Sequence, residues 1–191
     1  MAFDIIYNQE FTGDFFFDDE FNFKEYESCT FVNCDFSECQ FKNTIFLGCK
    51  FIDCNFKSSE INNIALRGVN FLNCDFTDVN FARIDQFIYE FDFTNCKMDY
   101  TKFYALNLQN VSFSNCSLIS ADFMEVNLTK VLFDNCNLHL AEFAKANCEG
   151  ADFYTSYHIT INPLKTKIKR AIFNESALPG LMAHFDIIIK K

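Results

Sequence analysis

The sequence predicts a repeat solenoid, a stack of short β units, and two observations carry that prediction. Phe recurs every five residues through the stretch Phe31 to Phe56, and a small residue, usually Cys, sits two places before it. A helix would need apolar residues at i, i+3, i+4 and i+7, and a half-buried strand would alternate strictly. A sustained period of five fits neither and means stacked units.

The register runs almost the length of the chain. From Phe11 it passes through Phe16, Phe21, Tyr26, Phe31, Phe36, Phe41, Phe46, Phe51, Phe56, Ile61, Leu66, Phe71 and Phe76 to Phe81 without meeting a polar residue. Two residues are then inserted, within 82–87 on this reading. The step resumes as Phe93, Met98, Phe103, Leu108, Phe113, Leu118, Phe123, Leu128, Phe133, Leu138, Phe143, Cys148 and Phe153.

The units Ala121-Asp122-Phe123, Val126-Asn127-Leu128 and Ala151-Asp152-Phe153 resemble those of the pentapeptide-repeat family, whose repeat is roughly Ala, Asp or Asn, Leu or Phe, and two polar residues. The resemblance covers residues 11 to 173, with Cys and Phe standing where Ala and Leu are more usual. It implies an all-β solenoid, a right-handed quadrilateral (four-sided) parallel β-helix in which four pentapeptides make one coil. Residues twenty apart then stack. Phe11, Phe31, Phe51, Phe71, Phe93, Phe113, Phe133, Phe153 and Phe173 keep that spacing, with one step of twenty-two at the insertion. With a coil rise of about 4.8 Å these rings should form a continuous column. Cys34, Cys54, Cys74, Cys96, Cys116 and Cys136 follow the same spacing, and Asn33, Asp53, Asn73, Asn95, Asn115 and Asn135 precede them as a row of corner side chains.

No linker divides the 191 residues. Residues 1–175 read as one β-helix with its register shift in 82–87, and residues 176–191 as a C-terminal module. There Ser176 is expected to cap a short helix that tolerates Pro179 in its first turn. Leu178, Leu181, Met182 and Phe185 would form its apolar face, and Ile187 to Ile189 a brief strand. This capping helix and strand would close the core, and Leu178, Leu181, Met182, Phe185, Ile187 and Ile189 are candidate dimerisation residues.

Ten cysteines raise the question of disulfides or zinc, but nine occupy the small inward position, Cys148 a central one, and no CxxC pair occurs. They read as reduced core thiols, which fits a cytoplasmic protein. The N-terminus has no leader-like apolar run, and no stretch is long enough to span a membrane.

Charge is uneven. Residues 1–38 hold ten acids against Lys24 alone, whereas residues 160–191 hold six bases against two acids, within a total of −10. Asp14, Asp18, Asp19 and Glu20 are therefore candidate contacts for a basic partner, and the stripe Val32, Ile52 and Leu72 is a candidate apolar contact. Phe15, Phe17 and Phe23 fall off register and are expected to cover the open end of the core. Phe87, Tyr89 and Phe91 are expected to plug the space opened by the insertion.

Little catalytic chemistry is visible. His139, His158 and His184 are scattered through the repeat, no phosphate loop occurs among five glycines, and a convex rod offers no pocket for Asp122 and Glu142. The expectation is no enzyme, no cofactor, no metal and no direct nucleic-acid binding. The tail Asn162-Pro163, Ile168-Lys169, Ala171-Ile172-Phe173 and Leu178-Pro179-Gly180-Leu181 resembles that of the Qnr-like branch, which protects DNA gyrase and topoisomerase IV from quinolones. That resemblance implies a DNA-mimicking homodimer joined through its C-termini and acting on a type II topoisomerase. The alternative is a protein interaction scaffold of another pathway.

Overall fold

The computed structural model describes residues 4–16, 20–87, 89–109, 111–185 and 187–188. Short parallel strands stack along the axis. Asp4–Tyr7 pairs with Lys24–Glu27, which pairs with Ile45–Leu47, and the ladder continues through Ala65–Leu72, Glu90–Thr94, Ser112–Ser114 and Leu132–Asp134. A neighbouring side stacks Glu10–Thr12 on Thr30–Val32, Lys50–Ile52 and the Asn70–Leu72 half of Ala65–Leu72, and it is this side that Phe93, Phe113 and Phe133 continue. The register is twenty residues, as at Phe31↔Phe51, and twenty-two at Phe71↔Phe93. It begins one step earlier than Phe11, because Ile6 pairs with Tyr26.

Corners make the coil four-sided. Two places after most of the central residues of the repeat the backbone turns through positive φ, for example at Asn33, Asp53, Asn73, Asn95, Asn115 and Asn135, all between 51° and 55°. Left-handed backbone is accessible to Asn and Asp at little cost and favours them at turns. Each such corner also donates its N–H to the next coil, as Asn33 does to Ile52 O at 2.9 Å and Asp53 to Leu72 O at 2.9 Å. The amides form the expected ladder: Asn73 donates to Asp53 at 2.8 Å, Asn95 to Asn73 at 3.1 Å, and Asn135 to Asn115 at 2.8 Å.

Inside, the Phe column is continuous. Successive rings from Phe11 to Phe173 stack with centroids 4.7 to 5.5 Å apart. A second column, Phe81, Phe103, Phe123 and Phe143, stacks beside it and meets it edge to face, as Phe113 meets Phe123 at 6.1 Å and 85°. Alternating stacked and edge contacts suit the quadrupoles of both neighbours.

All ten cysteines are buried thiols. They do more than fill space. Cys54 donates to Phe31 O at 3.4 Å and Cys136 to Phe113 O at 3.4 Å, each reaching the preceding coil. Thr44, Ser156 and Thr166 make the same bond with their hydroxyls to Phe21, Phe133 and Phe143. Burial pushes the Cys34 thiol up to about 11, and those of Cys49 and Cys148 up to about 12. Reaction needs access as well as thiolate, and all ten side chains are buried, so a thiol reagent at neutral pH should label none of the ten in the folded protein and all ten in denaturant. Rapid labelling of two or more before unfolding would contradict the buried ladder.

The insertion falls in a bracket that overlaps 82–87. Asp85 still donates in the ordinary register to Ile64 O, whereas Glu90 pairs with Arg67 and Phe91 with Val69, the ladder shifting between Glu90 and Phe91. The extra residues therefore lie between Asp85 and Phe91. Phe91 is buried and meets Phe93 edge-on at 5.4 Å, with Tyr89 stacked on it at 5.6 Å. Phe87 does not join this plug and is 83% exposed.

Two other expectations fail at the ends. Phe15 is 75% and Phe23 50% exposed, so neither covers the first coil, and Phe17 lies outside the described residues. At the other end the helix is Leu178–Met182, flanked by 3-10 turns Glu175–Ala177 and Ala183–Phe185. Ser176 sits inside the first turn rather than capping the helix, and its hydroxyl donates to Asn174. Ile187 and Ile188 form no strand, while Ile189 lies outside the described residues.

Candidate protein-binding surfaces

At the N-terminal end, Asp4, Glu10, Asp14 and Glu20 are exposed, while Asp18 and Asp19 lie outside the described residues. Among the described residues, the five ion pairs are Arg67–Asp85, Lys97–Asp75, Lys102–Asp78, Lys145–Glu125 and Lys169–Glu149, none involving an acid of residues 4–60. In the later coils, bases stacked on acids about one coil away cancel much of the charge. The first coils keep theirs.

Val32, Ile52 and Leu72 stack in register as expected. Val32 and Ile52 are half-buried, and Leu72 is exposed. Thr12 precedes them, and Thr94 follows Leu72 in the ladder, so the apolar stripe is bounded at both ends by hydroxyls.

The C-terminal cap is thinner than its sequence periodicity suggests. Of its apolar face only Leu181 is buried; Met182 is half-buried, and Leu178 and Phe185 are exposed, as are Ile187 and Ile188. One close approach is made by backbone. A Cβ added to Gly180 would lie 1.8 Å from Ile159 O, so the helix rests on the last coil through glycine.

Beside that contact the repeat breaks, and the break assembles a group the spacing hides. Position 158 follows Phe76, Met98, Leu118 and Leu138 in an inward column, yet His158 turns through φ +58° and is exposed. Its ring comes to 5.7 Å from that of His139, with an interplanar angle of 73°. The histidines are therefore not all scattered. They border a cleft of about 430 Å³, lined also by Ser156, Tyr157, Ile159, Thr160, Ser176 and Gly180. His184 lines a separate depression with Glu142 and Lys165.

A family model described as a pentapeptide repeat region matches residues 64–143 and 88–180, and one described as pentapeptide repeats (8 copies) matches residues 27–57. This chain belongs to the pentapeptide-repeat family. Among solved structures it is similar to full-length QnrB1, a plasmid-mediated fluoroquinolone resistance protein, at 18% identity and a TM-score of 0.55, over 96% of this chain and 100% of that one. It is also similar to HetL, a pentapeptide-repeat protein involved in heterocyst differentiation regulation from the cyanobacterium Nostoc sp. strain PCC 7120. That likeness has 11% identity and a TM-score of 0.57, over 90% of this chain and 86% of HetL. No curated protein matches. At these identities the structural likeness establishes the shared coil. In this pentapeptide-repeat protein no helix among the described residues is long and apolar enough to cross a membrane, and those residues hold no cluster of three or more His, Cys, Asp or Glu suited to a metal ion.

Proposed function

We propose that this pentapeptide-repeat protein is a non-enzymatic binding protein that modulates a type II topoisomerase by occupying its DNA-binding surface. The observation that supports this reading is the acidic first third of the rod, whose described carboxylates are not drawn into ion pairs. A cationic saddle built for duplex phosphate attracts such a surface through the same long-range field, and salt weakens both. The likeness to QnrB1, itself a fluoroquinolone resistance protein, points to the same target class. The exposed residues of the cap, Leu178, Phe185 and Ile187, would join two copies through their C-terminal ends, leaving both acidic ends outermost.

A gyrase supercoiling assay, with and without a quinolone and across a range of salt, tests the reading. The protein should inhibit supercoiling or rescue it from the drug at low salt and lose potency as salt rises. The double variant Asp14→Lys with Glu20→Lys should need roughly tenfold more protein for the same effect, about 1.4 kcal/mol of lost attraction. A folded sample with no effect at any salt would instead favour a scaffold that uses the Val32, Ile52 and Leu72 stripe.

A further inference from the structure

We propose that His139 and His158 form a two-imidazole site for a borderline divalent cation such as Zn2+, open to solvent in the cleft between the last coils and the cap. The argument begins with Asn137. Its side-chain oxygen accepts the backbone N–H of His139 at 3.2 Å, and a backbone N–H can only donate, which fixes the orientation of the amide. The same oxygen lies 3.1 Å from His158 Nδ1. That nitrogen must therefore carry the proton, leaving Nε2 with a free lone pair. A carbonyl oxygen holding one ring nitrogen so that the other can ligate is the usual second contact of a metal-bound histidine.

The ring spacing fits. A cation about 2.0–2.1 Å from each nitrogen places two imidazole centroids about 5 to 6 Å apart, depending on the angle at the metal, and the observed value is 5.7 Å. Tyr157 packs edge-on against His158 at 5.0 Å and limits the swing of its ring. Both histidines are exposed, so the cation can enter from solvent, and water fills its remaining positions. The break in the repeat makes this arrangement possible, because an inward residue at position 158 would have buried its side chain like Leu138.

The test is a Zn2+ titration of tag-free protein, by calorimetry and by proton–nitrogen correlation of the histidine rings. The metal-free spectrum should show His158 protonated at Nδ1, and one equivalent of Zn2+ should shift the rings of His139 and His158 while leaving His184 in place. His139→Ala and His158→Ala should each weaken binding at least about tenfold, and Asn137→Leu should weaken it about tenfold with both ligands retained. The site is overturned if His158 is protonated at Nε2, if His184 shifts with the same midpoint, or if the heat of binding persists in the double histidine variant.

Discussion

Phe113→Ala is expected to destabilise the protein by about 3 to 5 kcal/mol, the range for emptying a buried aromatic site that cannot collapse. Phe113 is fully buried, stacks on Phe93 at 5.5 Å and Phe133 at 5.1 Å, and meets Phe103 and Phe123 edge-on. Backbone ladders hold the coils above and below at fixed spacing, so neighbours have little room to fill the void. Phe113→Leu keeps most of the volume and loses only the ring contacts, which should cost about 1 to 2 kcal/mol. Reversible urea denaturation measures both. A loss below about 1 kcal/mol for the alanine variant would mean that the column does not carry the core.

Gly180→Ala should release the cap while leaving the rod folded. Helix propensity alone predicts the opposite sign, since alanine favours a helix over glycine by about 1 kcal/mol. Here the added carbon would sit 1.8 Å from Ile159 O and 2.9 Å from its carbonyl carbon, and neither is the movable end of a side chain. The helix has to lift. Amide exchange across residues 175–185 should then accelerate at least about tenfold, while Phe133 and its neighbours keep their protection, because solenoid stability is local to adjacent coils. Unchanged exchange in the cap would show that the helix is held by something other than this backbone contact.

The parts of the fold legible in the sequence are those that repeat. One Phe per coil and the Asn or Asp row along one corner were visible because each satisfies the same steric demand every twenty residues. The thiol bonds were less visible, since Cys at an inward position reads as a small apolar filler. The signal was there in Thr44, Ser156 and Thr166, whose common property with Cys is a donor rather than a size. The ends resisted for a different reason. Phe15, Phe23 and Leu178 are apolar, but the outermost coil has a neighbour on one side only, and periodicity cannot say which rings find cover. His139 and His158 escaped because they stand nineteen apart, one short of the period, and meet only where the coil departs from its own rule.

The ladder of corner hydrogen bonds has a consequence for how such a chain can change length. Among the described residues, an inner coil's bonds to other coils run to the coil before and the coil after, and an added segment of twenty residues would present the same donors, acceptors and rings to both. Duplication of one such segment in the gene would lengthen the rod by about 4.8 Å without re-tuning any existing contact. Insertions of other sizes have to be absorbed locally, as between Asp85 and Phe91. The molecule is in this sense a ruler graduated in whole coils, and the distance between its acidic end and its cap is a quantity that inheritance can adjust in steps.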